Sequence, residues 1–80
     1  MPRWTRKLPE PVKVIGRKAP IATLAEARAF ILSLPEGRQS LREWQHAAKL
    51  VIEAAEGGDV AEATTQLQFA LLMAGKFDMK

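Results

Sequence analysis

The sequence predicts an α+β fold in which an N-terminal two-stranded β-hairpin packs against three α-helices. Three observations indicate this fold. Near the N-terminus, Val12 and Val14 share one face of a short extended segment. Beyond residue 23, apolar residues recur at helical spacing in three blocks. Each block follows a Thr, Ser or Asp that can cap a helix, and each ends at proline or glycine.

At 80 residues the chain is long enough for one small domain. Its apolar fraction of 48% and charged fraction of 26% are typical of a globular domain, which argues against disorder throughout. A domain of this size buries only about 60% of its unfolded surface, so a partner can add appreciably to its stability. We expect a single α+β domain over residues 12–80, preceded by an extended basic arm over residues 1–11.

The β-hairpin is expected over residues 12–22. Its first strand begins at Val12, after a segment in which three prolines favour extended backbone. The turn is expected at Gly16-Arg17-Lys18. Pro20 lacks an amide hydrogen, which confines the second strand to an edge of the sheet.

Each of the three helices has a start signal and a stop signal. Thr23 and Ser40 are each followed three residues later by Glu, which is the spacing of a capping box, and Asp59 is the expected N-cap of the third helix. Gly57-Gly58 ends the second helix, because glycine adopts the left-handed conformation without steric cost. The helices are expected at about residues 24–34, 41–56 and 60–74.

The core is predicted to lie where the apolar stripes of the three helices meet. Aromatic residues at helical spacing are interpreted as part of this core, because so small a domain rarely has room for a ligand cavity. The inner face of the second helix is expected to consist of Leu41, Trp44, Ala48, Val51 and Ala55.

The third helix changes character halfway along. Residues 59–68 are amphipathic, whereas the positions from Phe69 to Met73 are apolar without a break. A helix that is apolar on all sides must be covered on all sides, and the hairpin can cover only one of them. A second copy of the chain is the natural cover for the rest, so we expect a homodimer. The predicted interface consists of Phe69, Leu72, Met73 and Phe77.

Positive charge is concentrated at the N-terminus. Residues 1–18 contain six basic side chains and one acidic side chain, a net charge of +5, although the whole chain carries only +3. An aromatic residue between basic residues can stack on a base while its neighbours neutralise phosphates. The competing interpretation is that Trp4 folds back onto the helices and the cations are solvated. The residues predicted to contact nucleic acid, on the first interpretation, are Arg3, Trp4, Arg6, Lys7, Arg17 and Lys18.

No complete catalytic or metal-binding arrangement is visible in the sequence. The absence of Cys excludes thiol catalysis and thiolate metal sites. His46 is the only histidine, and no nucleophile with an orienting partner is evident for it. Glu53, Glu56 and Asp59 form the densest acidic cluster, but they lack the loop pattern of a calcium site. We therefore expect no enzyme activity, no metal and no cofactor.

Several short sequence marks are spread along nearly the whole chain. They are Trp4, Pro11-Val12, Glu26-Ala27, Gly57-Gly58 and Phe69-Ala70 near Gly75. On these marks the sequence resembles, from Trp4 to about Phe77, the family catalogued as domain of unknown function number 982, which consists of small bacterial proteins with no known activity. It departs from the family in a longer arm between Trp4 and Pro11 and in Ile52, at a position where family members often have Cys. The resemblance implies a similar fold and no particular activity.

Together these observations favour a non-enzymatic protein-interaction or assembly module that acts as a homodimer, with an unidentified protein as a further partner. The alternative is a weak, salt-dependent nucleic-acid-binding protein that uses its basic arm. No apolar stretch follows the N-terminal charges, and the longest apolar run is far shorter than a membrane span. A cytoplasmic location is therefore expected, without membrane contact.

Overall fold

The computed structural model describes residues 3–75. Within this range the chain forms two strands, three longer helices and one short helix, and the predicted α+β class is confirmed. The two strands form a single antiparallel sheet. In chain order the elements are β1 (Lys7–Val12), β2 (Ile21–Thr23), α1 (Leu24–Leu32), α2 (Glu36–Gln39), α3 (Arg42–Ala55) and α4 (Val60–Met73).

The first strand lies earlier in the chain than its pattern predicts. It spans Lys7–Val12, so much of the expected arm belongs to the sheet and the expected start of the hairpin at residue 12 is wrong. Lys7 pairs with Thr23 and Val12 pairs with Ile21, so β1 has more residues between the two pairs than β2 has. Pro9 and Pro11 fall in this bulged interval, where their missing amide hydrogens break no regular ladder.

The predicted cap of α1 is confirmed. The Thr23 hydroxyl accepts a hydrogen bond from the Glu26 amide at 3.2 Å. The Glu26 carboxylate reaches back and accepts one from the Ala22 amide at 3.3 Å. Thr23 is also the last residue of β2, so strand and helix join without an intervening loop.

A short helix that the sequence analysis did not predict changes the start of α3. Pro35 is the N-cap residue of α2, and its φ of −56° and ψ of 148° give extended backbone directly before the helix. Ser40 ends α2, with its hydroxyl donating to the Gly37 carbonyl at 2.9 Å. The prediction that Ser40 caps α3 is therefore wrong; the N-cap residue is Leu41, which has no side-chain cap.

The core lies between α3, its neighbours α1 and α4, and the sheet. Trp44 is buried at its centre, with its ring centroid 5.9 Å from that of Phe30. Because α3 packs against a helix on each side, its buried face is wider than one stripe and includes Ala47 and Ala54. Leu41, expected on the inner face, is instead exposed, because it precedes the helix.

The connection between α3 and α4 follows the predicted signals. Gly57 has a φ of 110°, which ends α3 in the left-handed region. The Asp59 carboxylate then accepts hydrogen bonds from the amides of Ala61 and Glu62, at 2.9 and 3.3 Å. This turn places α4 beside α3 and leaves one side of α4 facing outward.

Candidate interaction surface

The outward side of α4 carries large apolar residues. Its inward side contacts α3 and β1 and contains the buried residues Val60, Ala63, Thr64, Leu67, Ala70 and Leu71. Phe69, Leu72 and Met73 point away from that side and are 49%, 52% and 60% exposed. We call these three residues the α4 face. Phe77, the fourth residue of the predicted interface, lies outside the described residues.

The α4 face continues into an open groove shared with the first turns of α3. Phe69 and Met73 line this groove of about 550 Å³, together with Arg42, Glu43, His46 and Gln66. The Gln66 side-chain amide donates a hydrogen bond to the Glu43 carbonyl at 3.2 Å and ties the two helices together here. The rim therefore combines apolar side chains with one cation and one carboxylate.

His46 lies in this groove without the neighbours that catalysis requires. Its side chain is exposed. None of the described residues lining the groove is a serine, threonine or cysteine that it could activate. The arrangement has the chemistry of a contact surface, with an apolar centre and a polar rim.

The N-terminal residues pack against the helices. The Ala25 amide donates to the Trp4 carbonyl at 2.9 Å, and the Leu24 amide donates to the Arg6 carbonyl at 3.0 Å. The Arg6 guanidinium donates to the carbonyls of Ala54 and Gly58, at 2.8 and 3.1 Å. A cation is favourable there, because the carbonyls at the C-terminal end of α3 carry partial negative charge.

Trp4 folds back onto the domain, as the competing interpretation expects. Its ring is half-buried against the core, and the Arg28 guanidinium lies 5.1 Å from the ring centroid. Arg17 is also engaged within the fold, since its Nε donates to the Ala19 carbonyl at 3.0 Å and its guanidinium lies over Phe30. Trp4, Arg6 and Arg17, which make these contacts within the fold, are three of the six residues predicted to contact nucleic acid. The other three, Arg3, Lys7 and Lys18, are exposed. The nucleic-acid hypothesis stays a prediction.

The acidic cluster has a structural role at one of its members. Asp59 is held by the two amides that it caps. Among residues 3–75, no group of three His, Asp or Glu side chains is placed to hold a metal ion.

A second apolar surface, which the sequence patterns did not predict, lies between α1 and α3. Leu32 and Ile52 are 58% and 47% exposed on either side of a cleft of about 190 Å³. Both residues are large and apolar yet lie off the core stripe of their helix. A large apolar residue off the core stripe can be recognised in the sequence. Only the packing of the two helices shows that Leu32 and Ile52 belong to one surface.

The described part of the chain has no helix with the length and apolarity needed to cross a bilayer. No known protein family, curated protein or solved structure matches the sequence. The resemblance to the family of unknown function therefore stays a prediction, and any functional inference depends on the surfaces themselves.

Proposed function

We propose that this protein is a small, non-enzymatic interaction module of the cytoplasm that forms a homodimer through the α4 face. The observation that carries the proposal is the presence of three large, half-exposed apolar side chains on the outward side of one helix. Clustered exposure of this kind is typical of protein contact sites, whereas single exposed apolar residues need no explanation.

The area of the α4 face fits a small interface. Taking about 200 Å² for each large apolar residue, the exposed fractions give roughly 300 Å² of apolar surface per copy. Two copies would then bury roughly 600 Å² of apolar surface. Since about 57% of a typical interface is apolar, the whole interface would cover roughly 1,000 Å², near the lower limit for a specific complex. We therefore expect a dimer that dissociates in the micromolar range.

The rim of the groove favours a second copy as the partner. Arg42 and Glu43 are adjacent on α3 and border the same groove. In a two-fold dimer the same patch meets itself, so a rim that contains both charges can place Arg42 of one copy opposite Glu43 of the other. A rim of one sign would instead repel its own copy.

The test is the molar mass of the Leu72→Ala/Met73→Ala variant, measured by analytical ultracentrifugation over the micromolar range. We expect a dimer for the unmodified protein and a monomer for the variant, with an unchanged circular dichroism spectrum. The matched control is Leu32→Ala/Ile52→Ala, which removes apolar surface of similar exposure from the cleft between α1 and α3. A folded variant whose mass equals that of the unmodified dimer would contradict the proposal, and so would an unmodified protein that is monomeric throughout.

The nucleic-acid alternative is tested by fluorescence anisotropy with labelled single- and double-stranded DNA and RNA. Titrations at about 50 and 200 mM salt cover the range in which phosphate contacts lose most of their affinity. The proposal expects no saturable binding. Binding that weakens with salt and disappears in an Arg3→Gln/Lys7→Gln/Lys18→Gln variant would favour the alternative. Substitutions suit this test better than deletion of the arm, because residues 7–12 form a strand of the fold.

A further inference from the structure

The cleft between α1 and α3 is apolar, preformed and small. Ile31 and Val51 form its buried floor, and the half-exposed side chains of Leu32 and Ile52 border it. Its volume of about 190 Å³ is below the range of pockets that enclose drug-sized ligands. A cavity of about 150 Å³ accommodates a benzene-sized group, so this cleft accommodates one large apolar side chain.

One charged residue lies at the edge of the cleft. Arg28 is the single charged side chain among the described residues that line it. Its guanidinium lies over the Trp4 ring, 5.1 Å from the centroid, and the Trp4 backbone carbonyl accepts a hydrogen bond from the Ala25 amide. A cation–π contact uses no N–H donor in a hydrogen bond to an oxygen, and within residues 3–75 the Arg28 guanidinium donates no hydrogen bond, so its N–H groups are available to donate. Within residues 3–75 no carboxylate forms an ion pair with Arg28, so this part of the fold presents a cation, held against Trp4, beside the apolar cleft.

We propose that this cleft binds an amphipathic helix of a partner protein, which inserts one large apolar side chain and pairs an Asp or Glu with Arg28. A helix suits the site because a groove between two helices accepts the apolar side of a third. The acidic residue is expected three or four positions from the inserted side chain, since residues at that spacing lie on the same side of a helix. The bidentate geometry of a guanidinium makes a carboxylate its preferred partner.

The cleft is separate from the α4 face. Ala48 and Ile52 lie on the opposite side of α3 from Glu43 and His46, as their spacing along the helix requires. A homodimer formed through the α4 face therefore leaves the cleft open, and each copy can hold one partner helix. The inference stands independently of the dimer.

The experiment selects a phage-displayed library of amphipathic helical peptides on the unmodified protein, with counter-selection on Leu32→Gln/Ile52→Gln. We expect enriched peptides to carry Asp or Glu three or four positions from a large apolar residue. By fluorescence anisotropy, Arg28→Gln should weaken binding of an enriched peptide about tenfold, the loss expected for one charge-assisted pair. Arg28→Lys should retain part of the affinity. The control Phe69→Gln/Leu72→Gln, which alters only the α4 face, should bind as tightly as the unmodified protein.

Several results would overturn this inference. These are a library that yields no saturable binder, enriched peptides that lack the acidic residue, and equal affinity for Arg28→Gln and the unmodified protein. Loss of the dimer in Leu32→Gln/Ile52→Gln would assign the cleft to a second copy of this chain. Saturable binding of a labelled fatty acid that depends on Arg28 would assign it to a lipid. If the double variant fails to fold, the comparison of Arg28→Gln with Arg28→Lys decides alone, because that side chain is exposed.

Discussion

Arg6 connects the N-terminal segment to the end of α3, and its removal should destabilise the whole domain. Its guanidinium donates to the carbonyls of Ala54 and Gly58, at 2.8 and 3.1 Å. A hydrogen bond from a charged donor contributes about 1.5–3 kcal/mol when it is well shielded from water. The bond to Gly58 is exposed and counts for little, whereas the bond to Ala54 is partly buried. The interaction with the helix C-terminus adds about 0.3–1 kcal/mol. We therefore expect Arg6→Ala to lower the free energy of unfolding by about 2 kcal/mol.

The measurement is urea unfolding followed by circular dichroism, at one protein concentration so that dimerisation does not alter the comparison. In thermal unfolding of a domain of this size, the same loss of 2 kcal/mol corresponds to a fall in Tm of roughly 10 °C. Arg6→Lys should lose about half as much, because an ammonium cannot match the geometry of a guanidinium that reaches two carbonyls. Lys18→Ala is the control, since it removes an exposed cation and should change stability by less than about 0.5 kcal/mol. An Arg6→Ala variant as stable as Lys18→Ala would refute this account of the N-terminal segment.

Three further predictions concern the α3–α4 connection and the core, and the same unfolding assay checks each of them. Gly58→Ala should cost about 1–3 kcal/mol, because the new Cβ would lie 2.8 Å from the Glu53 carbonyl oxygen. Gly37→Ala, which meets no atom within 4 Å, should be neutral or slightly stabilising, and equal losses would contradict the steric argument. Asp59→Ala should cost about 1 kcal/mol by removing the N-cap of α4. Asp59→Asn should retain most of that stability, and a loss as large as that of the alanine variant would contradict the cap. Trp44→Ala should cost about 3–5 kcal/mol and reduce or abolish the cooperative transition, because Trp44 is fully buried. A sharp transition at an unchanged urea midpoint would show that the core does not depend on Trp44.

The two proposals assign a separate contact to each of the two apolar surfaces. The α4 face has a rim with charges of both signs, which suits self-association. The α1–α3 cleft has one cation and an apolar floor, which suits a partner with an acidic residue. The difference lies in the charges around each surface, because the apolar residues of the two are alike in size and exposure.

The sequence by itself determined the features that depend on residues within about four positions of one another. Thr23 and Asp59 cap their helices, and Gly57 ends α3, because each of these interactions is local. Local residues were also sufficient to place Phe69, Leu72 and Met73 on an uncovered side of α4. The capping-box spacing at Ser40 predicted the N-cap of α3 wrongly. Ser40 instead ends the short helix that Pro35 begins, and spacing alone does not distinguish these two positions.

Only the tertiary structure decided where the N-terminal segment goes. Arg6 reaches a carbonyl 48 positions away, and no pattern in the sequence encodes that pairing. The shift of β1 to Lys7–Val12 has a similar cause, since its register depends on where β2 and α4 lie. The α1–α3 cleft exists only because two helices pack with Leu32 and Ile52 on its two sides. Residues from separate elements form one surface only when those elements pack together, and that packing depends on contacts between distant parts of the chain.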